Sequence, residues 1–268
     1  AKGTYIQFFD ADDRVPKGAL EAVVSSMENT GSDMVVSGWQ IDLWVKDRLV
    51  RNHKTIALKE EEISGDTATI KKHVLKSIGS DGRLYNLWNK MFRADIIKDN
   101  YLLFNENIRF GEDVIFAFEY LRHVSKINYI PTVTYHYQAG GQGSVFSKSS
   151  LSSEFRIINL AALGTFVGNG VDREMDDLYS WVVTRWLLSY SMIIARSSLS
   201  FKEKYHALHE VIQESKYVAK STTFIGIKKF VLQRFIRVVM VIPAGMLVLG
   251  WSGSVLKQAV VLLKSSLK

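Results

Sequence analysis

Residues 5–16 read YIQFFDADDRVP, an apolar run that leads directly into three carboxylates within four positions. The run Tyr5–Phe9 predicts a short buried strand, and Asp10, Asp12 and Asp13 follow at the point where this strand ends. Like charges this close repel one another, and neither strand nor helix formation gains from the crowding. The segment therefore predicts a cation held at the end of a strand.

The composition excludes several classes of protein. The chain has 268 residues, of which 47% are apolar, enough for one large domain or two smaller ones. It contains no cysteine, which excludes disulfide frameworks, thiolate metal sites and cysteine nucleophiles. Of the 34 basic residues, seven lie in residues 224–268 without any acidic residue, which leaves 27 basic against 27 acidic elsewhere. A charge-balanced body argues against a nucleic-acid partner.

Residues 1–145 have the pattern of a mixed α/β region that ends in a glycine-rich loop at 140–144. A polar stretch, Lys46–Gly65, predicts a surface excursion within it. The apolar spacing predicts helices at Gly18–Met27, Thr67–Ile78 and Val114–Val124, and extended segments at Asp33–Trp39, Ile127–Ile130 and Val133–Tyr137.

Residues 146–223 have helical spacing throughout. Two helices are predicted at Glu154–Phe166 and Asp172–Arg196, and a capping box of Ser200 and Glu203 opens a third helix that runs to about Lys216. Two histidines on this last helix, His206 and His209, have no carboxylate to complete a metal set and are predicted to be surface residues.

The tail, residues 224–268, differs in composition from the rest of the chain. Its apolar run stops at Trp251 and is interrupted by Pro243, so it is shorter than the roughly 20 apolar residues that a spanning helix needs. Because the tail is amphipathic, basic and free of acidic residues, we expect it to lie on an anionic membrane surface. A pair of core helices that covers the body is the alternative.

Three kinds of site compete for the carboxylates. An EF-hand loop needs an oxygen ligand and a glycine where this chain has Arg14 and Val15, so that site is excluded. A phosphoaspartyl phosphatase also places Asp-x-Asp after a strand, but Arg14 replaces its usual Thr or Val, and Pro16 leads directly into a helix. This class stays open as an alternative.

The third possibility is the metal motif of an enzyme that uses nucleotide sugars. Departure of a nucleoside diphosphate develops negative charge, which Mg²⁺ or Mn²⁺ neutralises. Hard cations of this kind prefer carboxylate oxygens on a rigid element, with positions left for phosphate and water. The triplet Asp10-Ala11-Asp12 meets this need, although turns and helix caps use aspartate often.

Four blocks of sequence together carry a family resemblance: residues 1–20, NLWNKMFRADII at 86–97, NENIRFGEDVIFAFEYL at 105–121 and INYIPTVTYHYQ at 127–138. In order and spacing they resemble family 2 glycosyltransferases, which are inverting enzymes with the GT-A fold. The likeness is greatest to bacterial members that build capsule, exopolysaccharide or wall polymers. It covers residues 1–145 and implies a Rossmann-like mixed sheet there. The helical accessory region, 146–223, and the membrane-associating tail, 224–268, are predicted from their spacing and composition.

The resemblance also implies a divalent metal, Mg²⁺ or Mn²⁺, and names its ligands. Asp12 matches the principal ligand, and Asp10 is directed toward the nucleotide ribose or the metal. Asp13 corresponds to a supporting carboxylate of the cofactor site. His136 matches a position that adds a ligand near the metal or the diphosphate, although a lone histidine at a strand end is often structural.

By the same resemblance, Asp113 is the catalytic base, and its neighbour Glu112 raises the pKa of that base or binds acceptor hydroxyls. The structural alternative for Asp113 is an N-cap of the following helix, which would lower its pKa. Trp88 is expected to stack on a sugar ring, or else to pack in the core. Asn89 and Lys90 are expected to contact hydroxyls of the donor or acceptor.

The chain differs from the family pattern at its N-terminus. Family members begin with a strand, a loop and a helix that hold the nucleotide base, so we expect this chain to be a fragment that lacks this N-terminal segment. Gln138 stands where arginine is frequent, which puts phosphate contacts from that position in doubt.

The sequence as a whole predicts a metal-dependent inverting glycosyltransferase. It would move a sugar from a nucleotide-sugar donor to a saccharide or lipid-linked acceptor in surface polysaccharide synthesis, at the cytoplasmic face of a bacterial membrane. The alternative is a non-catalytic, membrane-associated scaffold or sugar-binding partner in a polysaccharide assembly complex.

Overall fold

The computed structural model describes residues 1–45, 48–80, 84, 86–108, 111–139, 153–168, 172–197, 199–200, 202–204, 206–207 and 209–210. The chain divides into two compact units, Ala1–Trp186 and Leu187–Lys268. The predicted boundaries at 145 and 223, the glycine-rich loop and the tail lie outside the described residues and stay predictions. Among the helices that are described, none is long and apolar enough to cross a membrane.

The first unit is built on a mixed sheet, which confirms the predicted fold class, and this sheet has six strands. Its strands are β1 (Tyr5–Ile6), β2 (Met34–Val45), β3 (Arg48–Ile56), β4 (Glu61–Ser64), β5 (Lys90–Arg93) and β6 (Lys126–Ala139). Their order is β1-β5-β2-β6-β4, and β3 pairs with the second half of β2. Only β2 and β6 run parallel among the described pairs; the other neighbours are antiparallel.

The helices of the described chain are α1 (Ala19–Thr30), α2 (Thr67–Ser80), α3 (Ala94–Asp99), α4 (Glu112–Leu121), α5 (Ser153–Val167) and α6 (Arg173–Arg196). Helix α1 buries Val23 and Met27 against one face of the sheet, where they meet Val35, Met91 and Ile130. It stops at a glycine in the left-handed conformation, whose N–H bonds to the Met27 carbonyl at 2.9 Å.

Phe92 follows Met91 in β5 and therefore points to the other face of the sheet. There it belongs to an aromatic cluster of Phe8, Phe92, Phe104, Phe116 and Tyr120, with ring centroids 4.6 to 6.2 Å apart. Phe8 lies two residues before Asp10, and Phe116 lies in α4. The cluster thus fixes the segment that leads into the carboxylates against the helix that begins at Glu112.

The predicted helices at α1, α2, α5 and α6 are confirmed to within a few residues. The predicted surface excursion Lys46–Gly65 contains β3 and β4, and the described side chains of residues 54–65 are mostly exposed, as a surface segment requires. Among the described residues β3 pairs only with β2, and β4 pairs only with β6.

Pro131 does not separate two extended segments, since β6 is continuous from Lys126 to Ala139. Its register against β2 shifts there, from Ser37 opposite Ile130 to Gly38 opposite Val133, and a bulge tolerates a residue without an N–H. Gly38 is needed at this point because a Cβ would lie 2.8 Å from one backbone carbonyl oxygen and 3.0 Å from another.

Candidate active site

The carboxylates after β1 lie in a loop, residues 10–14, which docks against the second half of β6. The Tyr135 hydroxyl donates to Asp13 Oδ2 at 2.6 Å, and the Gln138 N–H donates to Asp13 Oδ1 at 2.7 Å. Arg14 and His136 exchange two backbone hydrogen bonds of 3.1 and 2.9 Å. Asp13 therefore anchors the carboxylate loop, since both of its oxygens already accept hydrogen bonds.

Asp10 and Asp12 are exposed in the same loop. The pKa of Asp10 is raised, first by partial burial and then by the negative charges of Asp13, Asp12 and Glu112. The loop after β1 and the first turn of α4 thus bring their carboxylates close enough to repel one another. A cation between them would relieve this repulsion.

Helix α4 begins after Gly111, whose φ of 91° is in the left-handed region, and carries Glu112 and Asp113 in its first turn. Asp113 is not the N-cap, although its Oδ1 accepts the Val114 N–H at 2.8 Å. Burial raises the pKa of Asp113 to about 6, and repulsion from Glu112 and Asp10 adds to the effect. The Val114 N–H lowers this pKa, but burial outweighs it. Asp113 is a carboxyl group that changes charge close to neutral pH.

Trp88 is half-buried and forms an aromatic wall with two tyrosines of β6. Its ring stacks on Tyr135 at 4.7 Å and on Tyr137 at 5.9 Å, and contacts Trp39 edge-on at 5.6 Å. The core-packing and sugar-stacking interpretations of Trp88 are therefore compatible, because part of the indole packs while part stays exposed.

Asn89 and Lys90 do not reach the surface, because they are 0% and 1% exposed. The Asn89 amide donates to the Ser37 carbonyl at 2.9 Å, and the Lys90 ammonium donates to Asn86 and Asn89. In this structure their polar groups are enclosed by protein, so the expected contact with sugar hydroxyls is wrong. They support the loop that carries Trp88 from beneath.

The backbone of His136 is bonded to Arg14 of the carboxylate loop, but its side chain contacts another group. Successive residues of a strand point to opposite faces, so His136 faces away from the side on which Tyr135 meets Asp13. Its Nδ1 lies 3.2 Å from Asp42 Oδ2, and Asp42 Oδ1 accepts the Gln40 side-chain N–H at 2.6 Å. The ligand role of His136 stays a prediction, and no cluster of three or more His, Cys, Asp or Glu arranged for a metal occurs among the described residues.

The sequence did not identify Tyr135 as a functional residue, although its hydroxyl organises the loop. Alternation along the stretch Tyr135–Tyr137 indicates that both tyrosines share a face. Which loop that face meets depends on the docking of Arg14 beside His136, for which the sequence carries no local signal.

Comparisons with known sequences and with solved structures both find similarity to glycosyltransferases. The profile described as glycosyl transferase family 2 matches residues 1–101. The poly(ribitol-phosphate) beta-N-acetylglucosaminyltransferase TarS of Staphylococcus aureus is 19% identical over 165 residues, or 61% of this chain and 26% of TarS. The uncharacterized glycosyltransferase EpsJ of Bacillus subtilis is 26% identical over 52% of this chain and 38% of EpsJ.

A cholesterol galactosyltransferase of Borreliella burgdorferi is 24% identical over 78% of this chain and 59% of that protein. The chain thus spans from 26% to 59% of the length of these curated relatives. The crystal structure of S. aureus TarS 1-349 in complex with UDP-GlcNAc superposes with a TM-score of 0.55 at 18% identity, covering 80% of this chain and 58% of that one. This likeness shows that the mixed sheet is that of a GT-A fold.

Proposed function

The chain carries a glycosyl transferase family 2 domain in residues 1–101, and we propose that it forms part of an enzyme that moves a sugar from a nucleoside diphosphate donor to an acceptor hydroxyl. The observation that carries this proposal is the pair Asp10 and Asp113. One lies in an exposed carboxylate loop suited to a cation, and the other is a half-buried carboxyl whose pKa of about 6 suits a general base. Their mutual repulsion indicates that the two groups face a common site.

Asp113 would take the proton of the acceptor hydroxyl. As the acceptor oxygen forms its bond to the anomeric carbon, the bond from that carbon to the diphosphate oxygen breaks on the opposite side, and the diphosphate leaves with the electron pair. This single displacement inverts the anomeric carbon. A base with a pKa of about 6 is deprotonated at neutral pH and is stronger than an ordinary aspartate, which favours proton transfer.

The residues of the carboxylate loop fit a divalent cation in part. Asp10 and Asp12 offer exposed carboxylate oxygens, which Mg²⁺ and Mn²⁺ prefer, and two carboxylates suffice where phosphates and water complete the shell. Asp13 is engaged by Tyr135 and Gln138, so its role is to hold the loop. Such a cation would neutralise the charge that develops on the departing diphosphate.

The acceptor is proposed to be a saccharide or a lipid-linked saccharide. The names of the relatives give a polyol phosphate polymer as the acceptor of TarS and a sterol as the acceptor of the B. burgdorferi enzyme. Half-buried Trp88 offers an aromatic surface on which a sugar ring can stack. The basic, acid-free tail at 224–268 supports a peripheral location on the cytoplasmic face of a bacterial membrane, where a lipid-linked acceptor is concentrated.

Calorimetry on the complete reading frame that contains these residues tests the proposal. We expect UDP, GDP or dTDP to bind in the presence of Mn²⁺ and not in EDTA. Asp12→Asn should abolish this binding, whereas Asp113→Asn should retain it and lose transfer. Asp99→Asn, an exposed substitution in α3, is the matched control and should change neither. Metal-independent binding, or binding unaffected by Asp12→Asn, would contradict the metal site and favour a non-catalytic scaffold.

A further inference from the structure

Arg14 follows the three carboxylates of the loop and lies directly opposite His136. The two residues exchange backbone hydrogen bonds of 3.1 and 2.9 Å as an antiparallel pair. Side chains of such a pair lie on the same face, so Arg14 shares the face of His136 and not the face on which Tyr135 meets Asp13. Proton abstraction and departure of the diphosphate, as proposed above, require neither Arg14 nor its side of β6.

An aromatic ring holds the guanidinium of Arg14. Because β6 lies between Arg14 and β2, the Arg14 side chain passes over β6 to reach Trp44, and its Cζ lies 4.2 Å from the centroid of the Trp44 ring. Stacking uses the flat face of a guanidinium and leaves the N–H donors, which lie in its plane, open at the edge. Arg14 is exposed, and within the described part of the chain no carboxylate forms an ion pair with it. Arg14 is therefore a fixed cation whose donors are open to an anion.

The second group on this face is His136, which a buried carboxylate orients. Asp42 is 4% exposed; its Oδ2 lies 3.2 Å from His136 Nδ1, and its Oδ1 accepts the Gln40 side-chain N–H at 2.6 Å. A carboxylate only accepts hydrogen bonds, so this contact places a proton on Nδ1 and leaves Nε2 at the outer side of the ring. Nε2 has no hydrogen-bond partner among the described residues, and the His136 side chain is 27% exposed.

The two side chains together fit a phosphate group. A planar guanidinium binds two oxygens of one anion side by side. A carboxylate bound in this way has no oxygen left for a second residue, whereas a phosphate monoester has a third, which can contact His136 Nε2. That oxygen donates to a neutral imidazole when it is a hydroxyl, and accepts from an imidazolium when it is ionised. The Cα atoms of a hydrogen-bonded antiparallel pair lie about 5.5 Å apart, close enough for both side chains to meet one phosphate.

This phosphate is not the diphosphate of the donor. The exposed carboxylates of the loop repel a phosphate unless a divalent cation lies between them, whereas Arg14 supplies its own positive charge. Asp13, the carboxylate next to Arg14, accepts its two hydrogen bonds from Tyr135 and Gln138. The ligand on the Arg14 face therefore belongs to a second molecule, which is either a phosphorylated acceptor or a phospholipid with a terminal phosphate.

We propose that Arg14 and His136 form a binding site for a phosphate monoester, and that Trp44 and Asp42 position these two side chains. Binding of the phosphate follows from the geometry of the four residues alone. Use of the site to hold an acceptor or a lipid beside the carboxylate loop rests on the transferase function given above.

The test follows the imidazole signals of His136 by ¹⁵N NMR in the complete reading frame, with His136→Gln to assign them. Glycerol 3-phosphate should shift these signals saturably in the wild type. Arg14→Gln should weaken this binding about tenfold or more, because it removes a charged donor pair. Arg14→Lys keeps the charge but loses the planar, stacked donors, and should also bind more weakly than the wild type. Arg122→Gln is the matched control, since Arg122 is exposed but pairs with Glu119 at the end of α4, and it should bind as the wild type does.

Vesicles identify the molecule that carries the phosphate, because phosphatidic acid presents the same glycerol phosphate at a membrane. If phosphatidylcholine vesicles that contain phosphatidic acid sediment more wild-type protein than Arg14→Gln protein, the site binds a lipid headgroup. If the two proteins sediment equally while soluble glycerol 3-phosphate binding depends on Arg14, the site binds a phosphorylated acceptor. Each result supports the site and selects one source.

Four other results are decisive. Wild-type binding of glycerol 3-phosphate by Arg14→Gln overturns the site, and wild-type binding by Arg14→Lys overturns the stacked geometry on which it depends. Equal weakening of UDP and glycerol 3-phosphate binding in Arg14→Gln would assign Arg14 to the donor site, and a shift of the His136 signals by Mg²⁺ without phosphate would assign Nε2 to a metal; either overturns the proposal. Absence of sugar transfer by the wild type, with phosphate binding that depends on Arg14, overturns the function and leaves the site intact.

Discussion

The Tyr135 hydroxyl donates a 2.6 Å hydrogen bond to Asp13 Oδ2 and joins the carboxylate loop to β6. The same oxygen accepts the Asp10 N–H at 3.1 Å. One hydroxyl group therefore fixes both ends of the segment that contains Asp12, and the exposed carboxylates take their positions from a side chain that is itself 0% exposed.

We predict that Tyr135→Phe weakens Mn²⁺-dependent binding of the nucleoside diphosphate at least tenfold while the protein stays folded. The phenyl ring keeps its stacking on Trp88, but the loop loses two hydrogen bonds and Asp13 Oδ2 loses a donor. The free energy of unfolding should fall by about 1–3 kcal/mol. Calorimetry and urea denaturation measure the two effects.

Tyr137→Phe is the matched control for Tyr135→Phe, because Tyr137 also stacks on Trp88 at 5.9 Å. It removes a tyrosine hydroxyl two residues along the same face without touching the hydrogen bonds of the loop. Equal losses of binding in the two variants would show that the ring contacts, and not the Tyr135 hydroxyl, organise the carboxylates.

The local patterns of the sequence located the elements near the site only in part. The apolar run before Asp10 predicts a strand over Tyr5–Phe9, but β1 ends at Ile6, so Asp10 lies four residues beyond it. Asp113 ahead of an apolar helix predicts a helix start, which is found there. What the sequence could not supply is the arrangement of the strands. β1 has two residues and pairs with β5, which lies 85 positions later, and no local periodicity encodes that neighbour.

The same limit explains why Asn89 and Lys90 were misplaced. Polar residues beside a tryptophan have the pattern of a surface loop, and a four-residue strand leaves no measurable alternation. They are buried because β5 lies between two other strands and beneath the aromatic cluster, which is a property of the assembled sheet. Their amide and ammonium groups satisfy one another, so local hydrophobicity gave no indication of burial.

The acidic limb of the pH–rate profile should follow the deprotonation of the Asp113 carboxyl. Because the base acts in its deprotonated form, kcat/KM should rise with pH and level off above about 6. Glu112→Gln removes a like charge and should move this limb to lower pH.

Asp113→Asn should lower kcat by about 10²- to 10⁴-fold with unchanged nucleotide binding. Steady-state kinetics between pH 5 and 8 would contradict the assignment if the limb survived in Asp113→Asn.

The half-buried Asp113 carboxyl should reduce the stability of the protein at neutral pH. Its folded pKa of about 6 exceeds its ordinary value of 3.8, so the folded state binds the proton more tightly than the unfolded state does. The stabilisation that comes from this tighter proton binding is complete below about pH 4, and it is lost as the pH rises through 6. Asp113→Asn should therefore be more stable than the wild type at pH 8, by on the order of 2–3 kcal/mol, with no difference at pH 3.5.

Asp33→Asn provides the contrast for the Asp113 substitution. Asp33 is 8% exposed, but its Oδ2 accepts hydrogen bonds from the Ser125 N–H, the Ser125 hydroxyl and the Lys126 N–H at 2.8 to 3.0 Å. Replacing this oxygen should destabilise the protein by about 1–3 kcal/mol at pH 8. Denaturant unfolding at pH 8 should therefore show opposite changes in the free energy of unfolding for Asp33→Asn and Asp113→Asn.

Two helical glycines should respond to alanine in opposite directions. In an exposed helix Ala is favoured over Gly by about 1 kcal/mol. A Cβ at Gly164 in α5 would lie 3.4 Å from the Tyr179 hydroxyl oxygen, an ordinary contact, so Gly164→Ala should raise the free energy of unfolding by about 0.5–1 kcal/mol. A Cβ at Gly79 in α2 would overlap the six-membered ring of Trp181. Gly79→Ala should therefore lower the free energy of unfolding by about 1–3 kcal/mol.

The contact between Gly79 and Trp181 brings α2 against α6, and the double variant Gly79→Ala, Trp181→Leu tests it. Leucine is smaller than tryptophan and leaves room for the new methyl group. Gly79→Ala should therefore lower the free energy of unfolding less in the Trp181→Leu protein than in the wild type. Thermal unfolding of the four proteins gives the interaction free energy. If Gly79→Ala lowered the free energy of unfolding equally in the wild type and in Trp181→Leu, the indole would move aside freely and would not fix the distance between the two helices.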